Sequence, residues 1–146
     1  MAFETTKNEI SFSFPKIEDE RGEIKRVAHE FGEGNPQEFV ETFIEQAKES
    51  GLITLNEEMW GRFENTDSFD IKPGDWETVS HHAIEGHPDH PRDWNKIKVI
   101  MEQGGTLPAP IICQKGNRLH LVSGNTRLMT ARAFGKTPKI LLVKID

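Results

Sequence analysis

Hydrophobic residues recur with a helical period in some stretches of the chain and with a strand period in others. The clearest helix follows Asn35, where Pro36 suits the first helical position and Glu38 completes a capping pattern with the asparagine. The apolar residues that follow form one helix face, and Gly51 provides a stop. Further helices are predicted over residues 18–31, 56–63, 75–85, 91–103 and 123–134.

Strand signals concentrate in the last third of the chain. Residues 111–115 and 118–122 flank a Gly-Asn turn and are predicted to form a hairpin. Residues 139–145 are rich in Ile, Leu and Val, which is typical of a buried strand. Shorter strands are predicted over residues 10–14 and 52–55. From residue 91 the predicted order is α-β-β-α-β after a mainly helical segment, so the expected fold class is α+β.

Charge divides the chain into two parts. The 146 residues suit one compact domain, or one small module with an appendage, and carry a net charge of −6. Residues 91–146 hold ten basic and three acidic residues, a net +7, whereas residues 1–90 carry −13. We therefore distinguish a basic module (91–146) from an acidic, mainly helical extension (1–90) that packs on it. The asymmetry indicates an anionic ligand on the basic side, or an acidic part that packs over the basic part and neutralises it.

Composition excludes several classes of protein. A single cysteine, Cys113, excludes an internal disulfide and any cysteine-based zinc finger. No apolar run approaches the roughly 20 residues that a membrane span needs, and the first residues lack the apolar region of a secretory signal. We expect a soluble, cytoplasmic protein without a membrane partner.

The segment from Ser123 to Arg127 joins a predicted strand to a predicted helix through Gly124. A helix start presents unpaired N–H groups and the positive end of the helix dipole, so it suits an anion. Ser123, Asn125 and Thr126 offer hydrogen bonds, and the Arg127 guanidinium can hold a phosphate through two parallel bonds. Simple helix capping by Ser and Asn is an equally good explanation of the segment.

The proline-led strand at residues 108–112, the hairpin and the run Ser-Gly-Asn-Thr-Arg-Leu-Met-Thr-Ala-Arg-Ala-Phe-Gly at 123–135 resemble the ParB/sulfiredoxin superfamily. The resemblance covers residues 92–146. That superfamily includes ParB CTPase domains, sulfiredoxin, free-serine kinases and ParB-like nucleases, and its Gly-x-x-Arg helix start contacts nucleotide phosphates. The resemblance assigns this role to Gly124 and Arg127. It implies a nucleotide of the ATP or CTP type, with Mg²⁺ as a cofactor.

Two positions depart from the family pattern. Asn125 stands where ParB has a glutamate and sulfiredoxin has its catalytic cysteine, and Thr126 stands where they have arginine and histidine. Cys113 lies on a strand well before the motif, so we do not expect sulfinic acid reduction.

Three residues of the hairpin are further candidates for the site. Arg118 and His120 share one face of the second hairpin strand. If that face turns towards the helix start, Lys115 and Arg118 flank the phosphate, and His120 joins Arg127 as a catalytic residue. The alternative, which the sequence leaves open, is that this face of the strand is exposed to solvent and does not form part of the site.

Four histidines, at 81, 82, 87 and 90, lie in one stretch with Glu85 and Asp89. Histidine and carboxylate ligands suit Zn, Mn or Fe, but no pair has the i, i+4 spacing of a helical metal site. His82, His87 and His90 are the candidate ligands. A polar loop beside the basic module is the interpretation we prefer.

The leading hypothesis is therefore a ParB-like protein that binds a nucleotide or nucleic-acid phosphate at the helix start from Gly124 to Arg127. If the protein is an enzyme, this hypothesis predicts NTPase, phosphotransfer or nuclease activity. The rival hypothesis is a non-enzymatic interaction or ligand-sensing module, such as a phage or mobile-element accessory protein. In that case the motif is a cap or a regulatory site, and the acidic part binds a protein partner.

Overall fold

The computed structural model describes residues 11–64, 66, 68–85 and 93–145, and over these residues the chain forms six α-helices and six strands. The helices are α1 (Arg21–Glu30), α2 (Pro36–Glu49), α3 (Glu57–Trp60), α4 (Trp76–Glu85), α5 (Trp94–Glu102) and α6 (Asn125–Ala133). The strands are β1 (Ser11–Ser13), β2 (Leu52–Thr54), β3 (Thr106–Pro108), β4 (Ile111–Lys115), β5 (Arg118–Ser123) and β6 (Lys139–Ile145). The fold is mixed α+β, as predicted.

The strands form a larger sheet and a smaller one, and each takes strands from both parts of the chain. In the larger sheet the order is β2-β6-β4-β5: β6 lies parallel to β4, and β2 and β5 are antiparallel to their neighbours. The smaller sheet pairs β1 with β3 in parallel. β3 was not predicted, because three residues show no period and its partner strand β1 lies far away in sequence.

Helices cover both faces of the larger sheet. On one face α1 and α2 bury Ile24 and Phe43 against Cys113 and Val143 of the central strands. On the opposite face α3 and α6 pack against the alternate residues of the same strands; the buried set includes Trp60, Ile112, Leu119, Leu121, Leu128 and Ile140. Burial on both faces explains the unbroken apolar runs at residues 111–113 of β4 and 140–143 of β6. Within the described residues, the structure contains no helix with the length and apolar character of a membrane span.

Side-chain caps determine where several helices begin. Asn35 Oδ1 accepts the backbone N–H of Glu38 at 3.1 Å, which confirms the predicted start of α2. Asp93 caps α5 in the same way, so this helix begins at Trp94, and Pro91 lies outside the described residues. The helix predicted from residue 18 begins later, because a 3-10 turn (Ile17–Glu20) precedes α1.

β5 is an edge strand whose backbone is covered by side chains and by the segment after α3. The Glu64 N–H donates to the Leu119 carbonyl at 3.1 Å. From α1, Arg26 Nη2 donates to the carbonyls of Leu121 and Val122 at 3.1 and 3.2 Å. These bonds satisfy acceptors that an edge strand otherwise presents to water or to another strand. β5 is thereby held in place just before the chain enters α6.

Candidate functional site

β5 passes directly into α6 through Gly124, whose φ of 106° is rarely adopted by residues with a side chain. A Cβ at this position would lie 2.7 Å from Cβ of Pro110 and 2.8 Å from Nη2 of Arg127. Glycine is therefore required by both the backbone conformation and the close approach of these neighbours. We call Pro110, Ser123, Gly124 and Arg127 together the Arg127 site.

The Arg127 guanidinium is half-buried and lies over Gly124. Its Nη2 lies 3.5 Å from Ser123 Oγ, the one hydrogen bond of this side chain within the described part of the chain. Its Nε is buried and finds no acceptor among the residues that the structure describes. Burial lowers the pKa of Arg127, and the Glu20 carboxylate acts in the opposite direction. Because a guanidinium stays charged in proteins, the site presents a desolvated cation with unused donors.

Asn125 and Thr126, the next two residues of α6, are buried. Asn125 Oδ1 accepts hydrogen bonds from Thr66 Oγ1 at 2.5 Å and from Ser68 Oγ at 2.8 Å. The Asn125 side-chain oxygen therefore serves a contact inside the protein. Of the side chains predicted to bind phosphate here, Ser123 and Arg127 are the two that are half-exposed.

His120 lies on the opposite face of the sheet from α6. Its ring is 5.3 Å from the ring of Phe31, and its side chain is only 5% exposed. Its Nε2 meets the Glu30 carboxylate, and its Nδ1 lies 3.4 Å from Oε1 of Glu64. Glu64 is also held by two guanidinium nitrogens of Arg118, at 2.9 and 2.8 Å. His120 is therefore part of an ion-pair network that joins β5 to α1 and to the segment after α3.

The charges of this network lower the pKa values of its carboxyl groups. The hydrogen bond from Arg118 is the largest cause of the lowered pKa of Glu64, and His120 acts in the same direction. At Glu30 desolvation raises the pKa, but the combined effects of His120 and Arg26 outweigh it, so the pKa is lowered. Both carboxylates are thus stabilised in their charged form.

Lys115 and Arg118 also lie away from the Arg127 site. Lys115 Nζ is 2.6 Å from the Glu33 carboxylate. Arg118 is five residues before Ser123, which corresponds to about 16 Å along a strand. Lys115, Arg118 and His120 therefore do not flank the start of α6, contrary to the arrangement considered in the sequence analysis. The alternation of β5 turns His120 towards α1, and the helix start follows the far end of the strand.

Most ion pairs of the basic module link it to the acidic part. Glu33, Glu64 and Glu57 pair with Lys115, Arg118 and Arg132. These ion pairs neutralise basic residues with carboxylates of the acidic part, which is one of the two alternatives that the division of charge left open. Of the three arginines that the structure describes after residue 91, Arg127 alone has no carboxylate of a described residue within salt-bridge distance.

The histidine cluster has no metal-binding geometry in the described chain. His82 lies on α4, and the other two candidates, His87 and His90, fall outside the described residues. Among residues 11–64, 66, 68–85 and 93–145, no group of three His, Cys, Asp or Glu side chains could hold a metal ion. Burial raises the pKa of the Cys113 thiol to about 12, which leaves it protonated and unreactive at neutral pH.

Sequence reasoning missed the residues of the acidic part that meet the start of α6. Thr66 and Ser68 contact Asn125 from positions 59 and 57 residues earlier. Glu20 acts on Arg127 from more than a hundred residues away. The polar stretch around Thr66 indicates a loop, but no spacing in the sequence connects it to α6.

Comparison with models of protein families, with curated proteins and with solved structures finds no match to this chain. The class of protein that the fold defines is a mixed α+β protein with helices on both faces of a four-stranded sheet. A closer assignment depends on the chemistry of the Arg127 site.

Proposed function

We propose that the protein binds a phosphate group of a nucleotide or a nucleic acid at the Arg127 site. The observation that carries this proposal is a half-buried guanidinium that pairs with no carboxylate of the described residues and whose Nε has no acceptor. A buried donor left without an acceptor costs about 1–3 kcal/mol. Phosphate oxygens match the guanidinium fork and accept two parallel hydrogen bonds, so phosphate is the ligand chemistry that suits a guanidinium without a carboxylate partner.

The resemblance of residues 92–146 to the ParB/sulfiredoxin superfamily supports the same ligand. Gly124 and Arg127 occupy the glycine and arginine positions of the Gly-x-x-Arg helix start. A module of this superfamily, with ATP or CTP as the nucleotide, is therefore part of the proposal. Mg²⁺ enters it as the companion of the nucleotide phosphates, since protein Mg²⁺ sites use one or two carboxylates together with substrate phosphates.

The proposal is limited to binding. His120, the residue expected to act in catalysis with Arg127, faces Glu30 and Glu64 on the other side of the sheet. Of the two residues expected to catalyse phosphoryl transfer, NTP hydrolysis or nucleic-acid cleavage, Arg127 is therefore the one that remains at the site. A non-enzymatic ligand-sensing module is the second candidate, and the pairing of Lys115 and Arg118 with glutamates favours it because these cations are already neutralised.

The decisive experiment compares Arg127→Ala with Arg118→Ala. Both variants remove one guanidinium from the basic module, but Arg118 is exposed and paired with Glu64. We would titrate ATP, CTP, inorganic phosphate and a single-stranded oligonucleotide, with and without Mg²⁺, and measure affinity by calorimetry and stabilisation by thermal melting. We expect at least one phosphate ligand to stabilise the wild type. Its affinity should fall at least about tenfold in Arg127→Ala and stay near the wild-type value in Arg118→Ala.

Two further variants sharpen the comparison. Arg127→Lys keeps the charge but loses the fork, so it should recover only part of the affinity. Glu20→Gln removes the carboxylate that acts on Arg127, so it should strengthen anion binding. If no phosphate ligand stabilises the wild type, or if the Arg127 and Arg118 variants lose equal affinity, the proposal is wrong. Product analysis of the best ligand then separates turnover from sensing.

A further inference from the structure

A group of buried polar residues lies directly behind the start of α6. Thr66, Ser68 and Asn125, which we call the hydroxyl cluster, are exposed by 4%, 0% and 9%. Both hydroxyl oxygens lie within 2.8 Å of Asn125 Oδ1 and 2.7 Å from each other. The Ser68 N–H also donates to Thr66 Oγ1 at 3.0 Å. The cluster therefore joins two segments that are far apart in sequence through short hydrogen bonds inside the protein.

Packing alone does not explain this choice of residues. Burying hydroxyl and amide groups costs free energy that hydrogen bonds must offset, whereas apolar residues of similar size fill such a space at no such cost. The hydroxyl cluster does restrict the positions of the bonded groups, because a hydrogen bond fixes the position of its partners more narrowly than an apolar contact does. The cluster thus determines where Asn125, the first residue of α6, lies.

The other end of the same segment is anchored on β5. The backbone N–H of Glu64 donates to the Leu119 carbonyl at 3.1 Å. Glu64 therefore contacts the edge strand, and Thr66 and Ser68 contact the helix that follows it. Asn125 and Arg127 are two residues apart, about 200° around the helix, so the hydroxyl cluster and the Arg127 site hold opposite sides of the first turn.

We propose that Asn125 is a positioning residue for the Arg127 site, held by Thr66 and Ser68. The hydroxyl cluster fixes the rotation of the first turn of α6, and this rotation aims the Arg127 guanidinium over Gly124, where an anion meets its free donors. This inference rests on the proposed function for its ligand. The orientation of Arg127 is measurable without any ligand.

The experiment uses the full chain, three variants at Thr66 and Ser68, and one control variant on α6. Thr66→Val and Ser68→Ala remove the donors to Asn125, and Thr66→Ser keeps the hydroxyl. Thr130→Val is the matched control, since Thr130 is fully buried on α6 but its hydroxyl donates to the Thr126 carbonyl of its own helix. The readouts are the Nε–H NMR resonance of Arg127, amide exchange at Leu128, which donates to the Gly124 carbonyl at 3.0 Å, and the affinity for inorganic phosphate and CTP.

We expect Thr66→Val and Ser68→Ala to shift the Arg127 Nε–H resonance, to speed exchange at Leu128 and to weaken phosphate binding about tenfold, the scale on which orienting partners act. Thr66→Ser should restore all three readouts, and Thr130→Val should leave them near the wild-type values. If Thr66→Val does not unfold cooperatively, Ser68→Ala, which removes a single oxygen, decides the question.

An unchanged Arg127 resonance with unchanged Leu128 exchange in these variants would overturn the inference. Equal effects from Thr130→Val, or no rescue by Thr66→Ser, would overturn it as well, because the role would then be general packing. If the wild type binds neither phosphate nor CTP while the resonance and exchange change as expected, the proposed function fails and the positioning of Arg127 by the cluster stands.

Discussion

Three neighbouring residues at the start of α6 have three different environments. Gly124 is pressed between Pro110 and the Arg127 side chain. Asn125 is buried against two hydroxyl groups from another segment. Arg127 is half-buried and keeps donors that no described residue accepts. The motif that the sequence presents as a unit thus divides into a glycine that allows close approach, an asparagine bonded inside the protein and a half-buried arginine with unused donors.

Substitution of two glycines tests the packing at this turn. Gly116 and Gly124 both have positive φ, 62° and 106°, but an added Cβ has no neighbour within 4 Å at Gly116. Gly116→Ala should therefore cost about 1–2 kcal/mol, the strain of a left-handed residue. Gly124→Ala adds overpacking against Pro110, typically about 1–3 kcal/mol more. Urea unfolding of both variants measures the difference, and equal losses would contradict the close approach seen at Gly124.

At the scale of elements, β5 is held through its exposed edge. Arg26 from α1 donates to two carbonyls, and the segment after α3 pairs with Leu119 and with Arg118. The same contacts bury His120 between two glutamates. An edge strand secured in this way cannot pair with another chain without breaking these bonds. The strand that leads into the Arg127 site is therefore fixed from both neighbouring elements.

The carboxylates of this network predict a loss of stability in acid. The folded-state pKa of Glu64 is lowered, chiefly by the Arg118 hydrogen bond, whereas an unfolded glutamate has a pKa of about 4.3. The stabilisation is therefore present above about pH 4.3 and is lost as the pH falls through the lowered folded-state pKa. Glu64→Gln should unfold with a smaller dependence on pH between about pH 5 and 3 than the wild type.

Urea midpoints measured across this range check the prediction. Glu58→Gln is the control, because Glu58 is 80% exposed and lies 3.7 Å from its partner Arg62. The control should follow the wild-type curve. A Glu64→Gln curve parallel to the wild type would contradict a role for this carboxylate in acid stability.

At the scale of the whole molecule, the acidic and basic parts are interlocked. β2 extends the larger sheet and β1 completes the smaller one, although both strands come from the acidic part. α1 and α2 supply one entire layer of the core. The boundary near residue 91 therefore marks a change in charge, whereas the residues before and after it build the same core.

A fragment of residues 91–146 should consequently fail to fold alone. Without α1 and α2, one face of β4, β5 and β6 loses the apolar cover that Ile24 and Phe43 provide. We expect a poorly dispersed NMR spectrum for the fragment and one cooperative unfolding transition for the full chain. Addition of a separate 1–90 fragment should restore dispersion. A folded 91–146 fragment with native-like hydrogen exchange would show that the basic module is autonomous.

Local patterns predicted those features that depend on local energies. The Asn35 cap of α2, the turn between β4 and β5, and the apolar β6 follow from capping, turn and strand preferences within a few residues. β3 has no comparable signal, since it pairs with β1, a strand almost a hundred residues earlier in the chain. For the helix start, the sequence predicted that Gly124, Asn125 and Arg127 bind phosphate, and the structure places the Asn125 side-chain oxygen against Thr66 and Ser68.

By itself, the sequence determined the fold class, the division of charge and the glycine-to-arginine helix start. These properties depend on composition and on neighbours along the chain. Only the tertiary structure decided which face of β5 carries His120, which basic residues are neutralised and what holds Asn125. These outcomes depend on pairing between segments 50 to 100 residues apart, as Thr66 with Asn125 and Glu30 with His120 illustrate. Such contacts are selected by the packing of the whole core, and no local period encodes them.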